Sequence, residues 1–353
     1  MSSSDLMLPP ARAAIEQKSI PCSASSTKHS GATEMKLAGD IGGTKVLLAL
    51  VDDGGKPVGE RRFETADFAD FAPLLGEFLR DNPATMNGGC LAVAGPVADD
   101  GRSAKITNLP WTVDAAALEK QFGLGRLTLI NDFAAAAMGV TAATPEELVT
   151  VQAGEPLADG VKLVVGAGTG LGMATLVRAG RGWRVLPGEG GHVGFAPADH
   201  LQACVWSALM TDHGRVTTER VVSGPGLAAI HRILASEMLK PGATPAVLTP
   251  AEVANLALRG DTMALRSLNV FLAAYGAFAG DMAMAVMARG GVYLAGGIAA
   301  KILSLLQTGP FLAAFNAKAE HAALARRMPI FVATDPLLGL HGAAAVALDR
   351  QLG

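Results

Sequence analysis

Val164-Val165-Gly166-Ala167-Gly168-Thr169-Gly170-Leu171-Gly172-Met173-Ala174-Thr175-Leu176-Val177 is the stretch on which the choice of fold turns. A dinucleotide fingerprint sets GxGxxG at the opening of a helix, where backbone N–H groups meet a pyrophosphate. Here glycines fall at 166, 168, 170 and 172, and a β-prone run follows. The spacing therefore predicts strand, turn, strand. Leu37 to Val51 repeats the pattern, with Gly42, Gly43, Thr44 and Lys45 at the bend, a turn at Asp52-Asp53-Gly54-Gly55 and a return strand. Two such hairpins, each opening one half of the chain, predict a duplicated α/β unit. Paired glycines let backbone N–H groups close around a phosphate, because no Cβ blocks the approach. The competing reading is a plain β-turn that needs positive φ. At Gly42–Lys45 the GxxxxGK[ST] spacing is absent and a strand follows, so that bend is not a P-loop.

Between the hairpins, the apolar run Leu127-Thr128-Leu129-Ile130 hands over at Asn131-Asp132 to the helical run Phe133-Ala134-Ala135-Ala136-Ala137-Met138. In open α/β sheets ligands bind beyond the carboxyl ends of strands, and a carboxylate there can take a hydroxyl proton. Asp132 or Asn131 could equally be a helix N-cap. Upstream, the pattern predicts a helix from Phe68 to Leu79, a strand from Gly89 to Val97, an edge strand from Ala104 to the turn at Pro110, and a helix from Val113 to Gln121. Asn108 and Trp111 are cleft candidates, or else a turn amide and a core indole.

Downstream, Glu189 and His192 lie three apart in the glycine-rich loop Leu186-Pro187-Gly188-Glu189-Gly190-Gly191-His192. Both side chains can hydrogen-bond vicinal hydroxyls; the alternatives are metal ligation and a satisfied loop histidine. Glu219 precedes the turn Ser223-Gly224-Pro225-Gly226 and reads by default as a solvated charge or a partner of Arg220. The run Gly291 to Ala295 predicts a strand ending at Gly296-Gly297, where an adenine or ribose could lie against bare backbone. Pro329 to Ala333 is a further strand and Gly339 to Leu348 a small-residue helix.

Fifty per cent hydrophobic residues, 42 glycines and 5% aromatics in 353 residues fit an Ala/Gly-rich α/β enzyme of one large or two ordinary domains. A net charge of -3 gives no basic surface for nucleic acid. Cys22, Cys90 and Cys204 have neither zinc nor disulfide spacing, which makes a reducing cytoplasm the default. The longest apolar window, Val270 to Met287, contains Asp281 and lacks an aromatic belt, so it reads as a buried helix and not a membrane span. Residues 1–34 are Ser-, Ala- and Pro-rich without a signal-peptide core and read as a disordered extension, with Met35 a natural alternative start.

The motifs Asp40-Ile41-Gly42-Gly43-Thr44-Lys45, Ile130-Asn131-Asp132-Phe133, Gly166 to Gly172, Leu186 to His192, Glu219 to Gly226 and Ala295 to Ile298 occur in an order that resembles the bacterial glucokinases. The cysteine-rich zinc segment of the related repressor/kinase group is missing. The resemblance implies an α/β actin-like ATPase fold, with two RNase-H-like domains closing over a cleft: residues 35–142 plus about 334–353, and residues 143–333. It implies phosphorylation of glucose at its 6-hydroxyl by ATP and Mg²⁺, in a cytoplasmic homodimer that uses neither nucleic acid nor membrane. Asp132 becomes the catalytic base, and Asn108, Asn131, Glu189, His192 and Glu219 the sugar ligands. The phosphate turns become Gly42, Gly43, Thr44 and Lys45 with Gly168, Thr169 and Gly170. Asp40 holds Mg²⁺ through water, and Gly296-Gly297 borders the adenosine. A helix N-terminus behind Asp132 is expected to keep it ionised, and residues near 142 and 335 to act as hinges. A related hexose or amino-sugar kinase, a catalytically silent sugar sensor and a dehydrogenase are the alternatives; the sensor lacks a helix-turn-helix in the first 35 residues, and strands after both turns disfavour the dehydrogenase.

Overall fold

The computed structural model describes residues 34–55, 57–238 and 246–348. The expected extension, apart from Glu34, lies outside the described residues. Thirteen strands follow in order: β1 Met35–Ile41, β2 Lys45–Val51, β3 Pro57–Glu64, β4 Met86–Val93, β5 Ser103–Lys105, β6 Thr112–Asp114, β7 Leu127–Asn131, β8 Leu148–Gln152, β9 Lys162–Ala167, β10 Leu171–Ala179, β11 Gly182–Gly188, β12 Gly291–Ala295 and β13 Ile330–Ala333.

One sheet runs β3-β2-β1-β4-β7 and the other β11-β10-β9-β12-β13-β8. In each, a three-strand antiparallel meander is extended by two strands parallel to its first strand: β4 and β7 beside β1, β12 and β13 beside β9. β8, antiparallel to β13, is the one addition. The two glycine hairpins expected from the sequence, β1–β2 and β9–β10, hold equivalent positions, and the duplication is real at the level of topology.

Alternation along the strands gives the first sheet two different faces. Leu37, Ile41, Leu48, Leu91 and Leu129 pack with Phe71, Leu74, Leu75 and Phe78 of helix Phe71–Asp81. The opposite face offers Ala38, Ala49, Cys90 and Ala92, whose small size admits two helices close to the sheet, Asp132–Gly139 and Leu338–Leu348. Those helices touch backbone to backbone. A Cβ at Gly342 would overlap the Ala135 carbonyl oxygen, and one at Gly139 the Leu338 carbonyl oxygen. The same core continues into Val164, Ala174, Leu176, Tyr293 and Ala295 of the second sheet. The helix pair is therefore wedged between the sheets.

The two chain crossings between the sheets run together: Thr334 donates from both N, at 2.9 Å, and Oγ1, at 3.1 Å, to the Glu147 carbonyl. Beyond them, Asp335 Oδ1 accepts the Leu337 N–H and Oδ2 lies 2.8 Å from His341 Nδ1.

Local chemistry moves some expected boundaries. Asp70 and Asp114 cap helices through their side chains, so the helix expected at 68–79 is Phe71–Asp81 and the one expected at 113–121 is Ala115–Phe122. The edge strand expected from Ala104 to Pro110 is broken after Lys105, where Asn108 takes a left-handed φ of 64° and the chain folds back as the β5–β6 hairpin. The apolar window at 270–287 belongs to helix Thr262–Val286, which has the length and composition to cross a membrane but is packed in the larger core. Its Tyr275 meets Phe311 edge-on at 5.4 Å and donates to the Val165 carbonyl at 3.4 Å.

Candidate active site

Register brings two carboxylates to one end of the first sheet. Asp40 pairs with Ala92, and Ala92 with Ile130, so Asp40 sits at the carboxyl end of β1 one row below the end of β7, where Asn131 leads into Asp132. Asn131 is the helix cap: its Oδ1 accepts from Phe133 N at 2.9 Å and Ala134 N at 3.3 Å, and its Nδ2 donates to the Gly95 carbonyl at 3.4 Å. With the cap role filled by Asn131, Asp132 stands one position into the helix, its Oδ1 2.7 Å from the Phe133 N–H.

Burial raises Asp132 above its ordinary value, against the lowering by the Phe133 N–H and the Asn131 amide. Desolvation outweighs the N–H of the helix terminus in the direction of the shift. Burial also raises Asp40, to about 6, helped by the charge of Asp132 and opposed by Lys45. The two acids thus repel across the strand ends, and a site so arranged favours a cation. Among the described residues no group of three or more His, Cys, Asp or Glu gathers to hold a metal.

Around the pair, the Gly42–Lys45 bend closes with Gly42 N donating to the Lys45 carbonyl at 2.9 Å, and Thr44 and Lys45 are exposed. Thr107 N donates to the Ala94 carbonyl at 2.8 Å, and a Cβ on Gly43 would approach the Thr107 carbonyl to 3.4 Å. The loop carrying Asn108 is thereby tied to both the bend and the Gly95 turn that Asn131 holds. Asn108 is exposed and lines an open cavity of about 300 Å³ with Pro96, Lys105, Leu109 and Pro110. Trp111 is buried in the core and takes the bland one of its two readings.

On the second sheet the Gly168–Gly170 turn closes by Gly168 N to the Gly170 carbonyl at 2.8 Å, and Gly224 N donates to the Gly168 carbonyl at 2.8 Å. Nothing crowds Gly168, whereas a Cβ on Gly170 would lie 2.6 Å from Glu219 Oε2. That oxygen accepts the Leu171 N–H at 2.8 Å. Glu219 is therefore neither a solvated charge nor a partner of Arg220, but braces the turn. Thr218 N donates to the Val193 carbonyl at 2.9 Å, which joins the Glu219 segment to the Glu189–His192 loop. There His192 Nδ1 lies 3.5 Å from Glu189 Oε2, and the two side chains are 60% and 91% exposed. At the end of β12, Gly296 takes φ 87°, close over the Ala167 carbonyl, and Gly297 opens the helix Gly297–Lys301 with nothing within 4 Å of where a Cβ would stand.

Sequence reasoning missed the purpose of Gly166 and Gly172. They pair across β9 and β10, and the ring that occupies the missing Cβ positions is that of Phe133, the residue after Asp132. The signal was available: two glycines symmetric about the 168–170 turn cannot both serve a phosphate at its tip.

Two equivalent sheets, each with a glycine turn between its first two strands, and a carboxylate pair at the parallel strand ends make this an α/β protein of the actin-like ATPase fold, in the class of ATP-dependent sugar kinases. Known proteins narrow the class. A glucokinase family model matches residues 37–350. The chain is 36% identical over 336 residues to a glucokinase of Nostoc punctiforme, covering 88% of this chain and 98% of that one. To a glucokinase of Mesorhizobium japonicum it is 39% identical over 319 residues, covering 90% and 92%. The crystal structure of a glucokinase from an Antarctic psychrotroph matches with a TM-score of 0.78 at 32% identity, covering 89% and 98%. The chain belongs to the glucokinase family.

Proposed function

We propose that this chain phosphorylates the 6-hydroxyl of glucose with ATP, using Asp132 as the base that takes the hydroxyl proton. The observation that carries the assignment is the position of Asp132: the cap role is filled by Asn131, and burial raises its carboxyl above its ordinary value, which makes it a better proton acceptor than an exposed aspartate. Asn108, Asn131, Glu189, His192 and Glu219 hold the sugar hydroxyls, Glu219 with the oxygen not given to Leu171. A site that hydrogen-bonds each hydroxyl rejects an epimer that leaves one of these groups unpaired. The Gly42–Lys45 and Gly168–Gly170 turns receive phosphates, and Gly296-Gly297 borders the adenosine.

The carboxylate pair fits Mg²⁺, which is usually held by one or two carboxylates, waters and substrate phosphates. Asp40 would hold it through water, and the ion would supply neutralisation of the phosphate charge. Positioning and charge neutralisation are most of what phosphoryl transfer requires.

The proposed domains are residues 35–142 with about 334–353, and 143–333, hinged near 142 and 335. The twin crossings at Glu147 and Thr334 support this division. The exposure of Glu189 and His192 supports an open form that closes on sugar. We place the enzyme in a reducing cytoplasm, consistent with the free thiols of Cys90 and Cys204, and as a homodimer, to be checked by sedimentation. The reading is tested by a coupled assay over glucose, its epimers and amino sugars with ATP, ADP and polyphosphate. Glucose with ATP is expected to give the highest kcat/KM; a hexosamine or another hexose at the top would move the chain to a related kinase, and no turnover with any pair would make it a sensor.

A further inference from the structure

Phe133 is held by the sheet that does not carry it. Its backbone belongs to the helix that leaves β7 of the first sheet, yet its ring lies on the cross-strand pair Gly166 and Gly172 of the second. A Cβ at Gly166 would stand 2.7 Å from Phe133 Cε2 and 3.1 Å from Cζ; one at Gly172 would overlap Cδ2 and lie 2.6 Å from Cγ. At Gly172 every close contact is to this ring, whose backbone is pinned by the Asn131 cap, so a side chain there must displace it; at Gly166 a Cβ also meets the Ala295 carbonyl oxygen at 2.9 Å, which makes Gly172 the cleaner probe of the seat. Two residues beyond Gly166, and two before Gly172, is the Gly168–Gly170 turn. One residue before Phe133 is Asp132.

We propose that Phe133 is a positioning residue for phosphoryl transfer, its ring seated on the Gly166–Gly172 pair to fix the distance and aim between Asp132 and the Gly168–Gly170 turn. The inference rests on the assignment of Asp132 as base and of that turn as a phosphate seat. Its physical content is separate. Base and phosphate belong to different sheets, and the sheets can rock about the paired crossings at Glu147 and Thr334. The Phe133 seat is a direct side-chain link between the residue next to the base and the strands that carry the turn. Glu189 and His192 lie outside the seat, while Asn131 reaches it only through the Phe133 N–H and Glu219 only through the Leu171 N–H. Loss of the seat therefore damages alignment more than sugar binding, and misplacement by an ångström can cost roughly 100-fold in rate.

The test is a cycle of Phe133→Ala, Gly172→Ala and the double variant in the full chain, with kcat, the KM for each substrate, the glucose Kd and the thermal midpoint measured for each. Phe133→Leu repeats the measurement should Phe133→Ala fail to fold. Each single change is expected to lower kcat by roughly 100-fold while the glucose Kd stays within about threefold. In the Phe133→Ala background, Gly172→Ala is expected to cost little more, because the ring it displaces is already gone. Wild-type kcat in a folded Phe133 variant, or losses that multiply in the double variant, would overturn the seat. Asp132→Asn is assayed beside them: full turnover there sinks the base assignment, an outcome distinct from intact turnover in Phe133→Ala.

Discussion

The carboxylate of Asp40 destabilises the fold it serves, and Asp40→Asn exposes the size of that effect. In the unfolded chain Asp40 titrates near its ordinary value of 3.8; in the folded protein burial and the charge of Asp132 raise it to about 6. Between these values the native state binds more protons than the unfolded one, so the Asp40 contribution to stability is fully present below about pH 4 and is lost as pH rises through 6. A rise of about two pH units at roughly 1.4 kcal/mol each gives a destabilisation of about 3 kcal/mol at neutral pH. The asparagine cannot ionise and escapes it. Thermal and urea unfolding of both proteins, in chelator and without nucleotide, should show the gap between them moving in the variant's favour by up to about 3 kcal/mol as pH rises from 4 to 7. Groups that titrate alike in both proteins cancel in the difference, and the cost of burying the amide is a constant offset that leaves the change of the gap with pH untouched. A gap that does not change with pH would refute the buried, repelling pair. Adding Mg²⁺ with ATP at pH 7 should stabilise the wild type more than the variant.

Three further outcomes follow from the same geometry. With Asp132 as the proposed base, the acid limb of kcat/KM should lie above the ordinary value of an aspartate, since burial raises that carboxyl; pH-rate profiles would show it, and a limb at or below that value would count against a desolvated base. Gly342→Ala forces a methyl against the Ala135 carbonyl at the helix crossing, which should cost about 1–3 kcal/mol or more and several degrees of midpoint; an unchanged melt would mean that the crossing is looser than described. Saturating glucose should reduce the radius of gyration in solution scattering as Glu189 and His192 come to cover the sugar, and superimposable curves would argue against closure.

The parts of this fold legible in sequence were those written in local backbone chemistry. A glycine turn followed by β-prone residues is a short-range signal, and both hairpins stood where it put them. Asn131-Asp132 was legible as a strand-to-helix junction, but which residue capped was not, because both types accept N–H bonds and only the backbone geometry separates them. The Asn108 segment misled because Ala104–Ile106 is β-prone, while the left-handed Asn108 that turns the chain costs only what an asparagine can bear. What sequence could not supply was long-range: Glu219 turned onto Leu171, 48 positions away, and Phe133 docked on glycines of the other sheet. Desolvation of Asp132 belongs with these, since it depends on everything packed around the carboxylate and not on the helix behind it.

The most direct measurement is the turnover of Asp132→Asn at saturating glucose and ATP, read together with its glucose affinity by calorimetry. The amide keeps the shape and the hydrogen bond from Phe133 but cannot take a proton, so kcat should fall by roughly 100- to 10,000-fold while the glucose Kd changes by less than about tenfold. Turnover within about threefold of wild type, in a variant that still binds glucose, would contradict the assignment of the base.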